Sequence, residues 1–199
     1  MINYPNKKVI KDFDEEVKKE RTKERKIFSA ANRGMDFEHA VNSSNDYYDS
    51  IERAVITKRP TPIKVVKVDY AHNARITEAH FEKQSTTDYN GVYKGKYIDF
   101  ECKETKSLTA LTFNNISLHQ IKHLQKVLKH GGIAFFLIYF VNLSEVYLLD
   151  ASYVIEKYLH QEERKSLPIS YIKEYGHLIE QGYIPRLNYL DTVDQVYFK

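Results

Sequence analysis

The sequence predicts an α/β or α+β chain built on a mixed central sheet, and three stretches carry that reading. Residues 133–141 (IAFFLIYFV) form an unbroken apolar run, the pattern of a strand buried on both faces. Residues 97–106 (YIDFECKETK) alternate with period two, as a strand with two unlike faces does. Residues 117–130 recur at helical spacing, with Leu118, Ile121, Leu124 and Leu128 as the apolar stripe, Ser117 as the cap and Gly131 as the stop. Strands and helices mix without a regular βαβ alternation, so the sheet is expected to be mixed rather than parallel.

Taken in order, residues 1–30 hold nine Lys or Arg and six Asp or Glu with few apolar anchors, and are expected to form a mobile charged arm. A helix is expected to begin near Asp36, carrying Phe37, Ala40 and Val41 inward, with Glu38 on the same helix. Residues 54–58 and 63–70 read as strands separated by Arg59-Pro60-Thr61-Pro62, where the prolines suit an edge or a protruding turn. Residues 76–83 read as the returning strand, and Asn90-Gly91 as a turn. The apolar run and residues 145–149 form a hairpin through Asn142-Leu143-Ser144; short helices follow near 153–160 and 170–175, and 187–199 read as a tail.

Composition narrows the class. A chain of 199 residues with 42% hydrophobic content supports one domain of ordinary size, expected over 31–199, and seven Gly with five Pro exclude a collagen-like or Pro/Gly-rich disordered chain. The single Cys102 excludes an internal disulfide framework and a multi-Cys zinc site. The longest apolar run is about half of what a membrane-spanning helix needs, and the polar N-terminus lacks a secretory core, so a cytoplasmic setting is expected.

The net charge of +3 hides a segregation of signs. The first thirty residues supply the whole surplus. Beyond them, 53–68 carries five basic residues and no acid, and 105–144 carries four Lys, three His and no acid. Asp88, Asp99, Glu101 and Glu104 lie between these tracts, an arrangement expected of acids flanked by surfaces that attract a polyanion. Each tract taken singly also fits a solvated face.

On a strand over 97–105, Tyr97, Asp99, Glu101, Lys103 and Thr105 share one face, while Ile98, Phe100, Cys102 and Glu104 share the other. Carboxylates at i and i+2 sit about 6 to 7 Å apart and repel each other unless a cation lies between them. Mg²⁺ suits such a site because it takes one or two carboxylates and keeps waters or substrate phosphate in its remaining positions. Asp88 is placed to add a ligand, and the Lys103 ammonium to hold a water or neutralise charge developing on phosphorus. A solvated edge whose acids pair with Lys103 and Lys106 fits the same spacing. His119 and His123 stand at the i, i+4 spacing of a zinc pair, with no third ligand evident.

Asp88 followed by Glu101-Cys102-Lys103 resembles the signature of the PD-(D/E)xK nuclease superfamily. Six ordered tracts, KRPTPIKVV, STTDYNGVY, YIDFECKETK, FNNISLHQ, EVYLL and PRLNYL, resemble the RecU Holliday-junction resolvases of Gram-positive bacteria and some of their phages, from Asn32 onward. The resemblance implies a restriction-endonuclease-like mixed sheet flanked by helices, with a protruding β-stalk at about 60–82. It implies a homodimer that makes symmetric nicks in four-way DNA junctions with Mg²⁺, for which Mn²⁺ substitutes, and a RecA-type recombinase as a further partner.

By motif position the catalytic cluster would be Asp88, Asp99, Glu101 and Lys103, completed by Glu38 in RGMDFE. Asp88 and Glu101 would be direct metal ligands, with the Phe100 carbonyl beside them. Asp99 and Glu38 would act through water, and Lys103 would hold the nucleophilic water. Thr86, Thr87 and Gln120 would stand around the metal, the water or the scissile phosphate. Arg33, Lys58, Arg59, Lys64 and Lys67 would meet DNA phosphates, while Arg75 and Phe81 reach the open centre of the junction. The arm (DEEVKKERTKERK) departs from the family's commoner Gly/Ser-rich stretch. The alternative from another class is a strand-annealing, recombinase-modulating DNA-binding protein without essential cleavage. A restriction-type nuclease acting on duplex DNA would need a base-reading element that the sequence does not display.

Overall fold

The computed structural model describes residues 36–71, 73–81, 86–160, 162 and 164–198; the expected arm, Arg33 and the stalk's last residue, Glu82, lie outside them. In chain order the elements are α1 (Phe37–Ser50), β1 (Val55–Lys58), β2 (Ile63–Asp69), β3 (Arg75–Phe81), β4 (Tyr89–Tyr93), β5 (Lys96–Thr105) and β6 (Ala110–Thr112). There follow α2 (Leu118–Lys129), β7 (Ile133–Phe140), β8 (Glu145–Asp150), α3 (Ala151–Leu159), β9 (Ser166–Pro168), α4 (Ile169–Tyr175), β10 (His177–Leu178) and α5 (Tyr189–Tyr197).

Six strands form one sheet in the order β1-β4-β5-β7-β8-β10. The β5–β7 pair is parallel and the others are antiparallel, so the expected mixed sheet is present. Strand β7 reads as an apolar run because it is central: all eight of its residues are buried. Helix α2 makes the crossover between the parallel strands, as parallel pairing requires. Its buried face is Gln120, Ile121 and Leu124, whereas Leu118, expected in the stripe, is exposed. The inward arc therefore begins two residues past the helix start and takes in a polar residue.

Helix α1 buries Phe37, Ala40, Val41, Ser44, Asn45 and Tyr48, a single helical stripe. That stripe holds the C-terminal segment: the Leu187 amide donates to Ser44 Oγ (2.9 Å), and Tyr48 Oη donates to the Leu187 carbonyl (2.9 Å). Residues 187–199, read as a tail, instead supply α5, whose Tyr189, Leu190, Thr192 and Val193 are buried.

The Asn90-Gly91 turn is also corrected. Both residues lie inside β4, and a side chain on Gly91 would place its Cβ 2.0 Å from the Val55 carbonyl oxygen of β1. Glycine there serves close strand approach. The hairpin turns at Lys94-Gly95, with φ of 47° and 72°, as a two-residue turn of the I′ kind demands.

Strands β2 and β3 pair only with each other, from Ile63 opposite Phe81 to Asp69 opposite Arg75, with register shifts around Val66. Every residue of β3 and the first five of β2 are exposed, so this ribbon is the expected stalk. Among the described residues no helix is long and apolar enough to cross a membrane.

Candidate active site

Strand β5 lies between β4 and β7 and carries Asp99, Glu101 and Lys103 on one face. On one side α2 reaches in, where Gln120 Nε2 donates to Glu101 Oε1 (2.6 Å) and His123 Nε2 lies 2.8 Å from Asp99 Oδ2. On the other side the β1–β2 connection reaches in, where Arg59 Nη2 donates to Asp99 Oδ2 (2.6 Å) and to Tyr97 Oη (2.8 Å). The acids thus line the floor of a trench. Beside it a groove of about 380 Å³ runs among Glu38, Lys58, Arg59, Pro60, Thr61, Pro62, Thr86, Thr87 and Asp88, joining the floor to the foot of the stalk.

The two carboxylates of β5 are treated differently. Asp99 is fully buried and accepts from Arg59, from Tyr97 Oη (2.8 Å), from His123 and from Thr87 Oγ1. Its oxygens are saturated with donors, so it fixes the walls of the trench against the floor. Burial, then the hydrogen bond to Asp99, raises the Tyr97 phenol, which keeps it a donor.

Glu101 is 1% exposed, and its Oε1 takes both Gln120 and the Lys103 ammonium (2.6 Å). Its Oε2 is buried with no hydrogen-bond partner. Burial first, and the neighbouring Asp88 charge second, push the Glu101 carboxyl up to about 8, against the opposing pull of Lys103. Asp88, ahead of β4, is oriented by the Cys102 amide, which donates to its Oδ2 (3.0 Å). An orphaned buried oxygen and two carboxyls that repel each other are what a bound cation would relieve. Asp88 and Glu101 therefore fit a hard divalent ion.

Among the described residues no three His, Cys, Asp or Glu side chains converge to hold an ion. Glu38 lines the groove together with Asp88 and is ion-paired with Lys58. Arg59 turns into the trench toward Asp99, and its Nε is buried without a partner. Thr86 lines the groove and Thr87 holds Asp99. Gln120 has two tasks, since its Oε1 also accepts the Ser117 amide (3.0 Å) and so caps α2.

On the stalk, Lys64 and Arg75 are exposed, Lys67 pairs with Glu78 (3.3 Å), and Phe81 is 84% exposed. The His119/His123 zinc spacing is spent elsewhere: His119 Nε2 lies 3.1 Å from Ser117 Oγ, and His123 serves Asp99. Cys102 is held well above its ordinary value by burial and then by Asp88, which keeps it a thiol. Sequence reasoning missed His123 as a site residue and Tyr97 as an Asp99 partner. Tyr97 shares the strand parity of Asp99, and His123 lies one helical turn beyond Gln120, so both signals were present.

An aspartate ahead of a strand that bears Glu-x-Lys, set in a mixed sheet between a crossover helix and a proline-bounded connection, defines a site of the PD-(D/E)xK kind. The family model described as "RecU: Recombination protein U" matches residues 32–195, and the chain belongs to the RecU family. A relative from Streptococcus gordonii named "Holliday junction resolvase RecU" is 48% identical over 197 residues, 98% of this chain and 96% of that protein. One of the same name from Geobacillus kaustophilus is 52% identical over 172 residues, 84% of this chain and 86% of that protein. Among solved structures, Archaeoglobus fulgidus Hjc, titled a Holliday junction resolvase, aligns with a TM-score of 0.39 at 11% identity, over 69% of this chain and 94% of that one.

Proposed function

We propose that this chain is a Holliday junction resolvase, an endonuclease dependent on Mg²⁺ or Mn²⁺ that nicks four-way DNA junctions symmetrically as a homodimer during recombination and repair in the cytoplasm. The observation that carries the reading is Glu101, whose buried Oε2 lacks a partner while Asp88 and Lys103 stand beside it. The names of relatives near 50% identity supply the substrate.

Asp88 and Glu101 would hold the ion, with waters and a substrate phosphate completing its shell. A bound divalent ion supplies an acidified water and counter-charge for the phosphoryl oxygens. The protein's own contribution is positional. Gln120 and Lys103 fix one Glu101 oxygen, which leaves the other as the atom that would hold the ion. The Cys102 amide fixes Asp88 in the same way. Lys103, 16% exposed, opens onto the trench, where its ammonium can hold the attacking water and offset the charge that develops on the phosphoryl oxygens as the bond to the departing sugar oxygen breaks. Asp99 with its four donors sets the width of the trench. Two such sites related by a two-fold axis would cut strands of like polarity across a junction of the same symmetry.

The test is nicking of a synthetic four-way junction with Mg²⁺. Asp88→Asn or Glu101→Gln should lower the rate by on the order of 10³-fold while junction binding in chelator stays equal or tightens, since an acid that repels phosphate is gone. Cleavage at the wild-type rate in both variants would remove the proposal.

A further inference from the structure

Helix α2 has two working faces. The inner one delivers Gln120 to Glu101 and His123 to Asp99. The outer one carries Lys122, Lys126 and Lys129, all exposed, within an arc of about 60° at 3.6 residues per turn. Lys58, Lys67, Lys94, Lys103, Lys157 and Lys173 each lie within 3.6 Å of a carboxylate. Among the described residues Lys122, Lys126 and Lys129 have no such partner, and no acid occurs anywhere in residues 105–144. Like charges at i+3 and i+4 oppose each other on a helix. The helix dipole compensates Lys126 and Lys129 in the last turn, but not Lys122.

The placement supplies a reason for this row without carboxylate partners. The three lysines span about 10 Å of helix axis, on the order of three nucleotide steps along one DNA strand. They lie on the helix that forms one wall of the trench. We propose that the outer face of α2 is a docking surface for the phosphate backbone of a duplex arm leading away from the scissile position. This rests on the junction-nuclease reading for the identity of the polyanion. It adds a second contact region, on the side of the trench opposite the stalk foot.

The test is equilibrium binding of a four-way junction in chelator between 50 and 200 mM salt, which requires no cleavage. Each lost phosphate contact should flatten the dependence of log K on log salt by about 0.9. K122Q/K126Q/K129Q should therefore flatten it by about 2 to 3, and K126Q alone, which perturbs the fold least, by about 1. K157Q/K165Q/K173Q removes the same charge elsewhere and should keep the wild-type slope. An unchanged slope in both α2 variants, or an equal loss in the control triple, would overturn the proposal. A slope difference that persists in protein that proves unable to nick DNA would support the surface while retiring the nuclease reading.

Discussion

The trench and the stalk are built in opposite ways. In the trench, Asp99 and Glu101 are 0% and 1% exposed, and donors from β1–β2, α2 and β5 converge on them across 2 to 40 residues of sequence. In the stalk, β3 buries nothing, and Ile63, Val65, Val66, Ile76 and Phe81 face outward. Burial lets the trench hold charges in fixed positions before any substrate arrives. A two-stranded ribbon without a core gains little from its own side chains, so theirs is a role toward something outside the chain.

That contrast can be broken by stability measurements. Asp99→Ala leaves the inward-turned Arg59 without its counter-charge and should cost about 3–5 kcal/mol in urea unfolding. A cost near zero would mean that the walls do not depend on this carboxylate. His123→Ala removes one donor of four and should cost about 1–3 kcal/mol, with His123→Gln recovering part of it. Val66→Thr on the stalk should change stability by no more than about 0.5 kcal/mol. Replacing residues 63–81 by a short turn should be tolerated equally well yet erase the preference for a junction over a duplex. Equal losses of affinity for both DNAs would remove the stalk's selective role.

The same contrast has a pH signature. Glu101 binds its proton more tightly in the folded protein, at about 8 against an ordinary 4.5, so protonation favours the fold. In chelator its contribution is full below pH 4.5 and is lost as pH rises through about 8. Glu101→Gln should flatten that window, and a stalk variant should leave it intact.

How much of this was legible in the sequence depended on whether the cause was local. The continuous apolar β7, the alternating β5 and the convergence of Asp88, Glu101 and Lys103 follow from strand periodicity and motif spacing. Proline placement marked the foot of the stalk. The Asn90-Gly91 turn signal failed because Gly91 answers to a neighbouring strand, and Lys94-Gly95 took the turn without an Asn or Asp to announce it. Helix α5 was read as a tail although Tyr189, Leu190 and Val193 carry a helical spacing, since what buries them is α1, more than 130 residues away. The helical spacing from Gln120 pointed to His123, but that Arg59 meets it at Asp99 from the opposite wall is a tertiary pairing that leaves no local pattern.

The central claim is that Asp88 and Glu101 are kept ready for a divalent ion. Its most direct test is Mn²⁺ titration of the DNA-free protein, followed by the loss of the free-ion magnetic resonance signal. Wild type should bind, and Asp88→Asn and Glu101→Gln should each weaken binding by at least about tenfold while retaining the wild-type fold. Equal Mn²⁺ affinity in all three proteins would contradict the account.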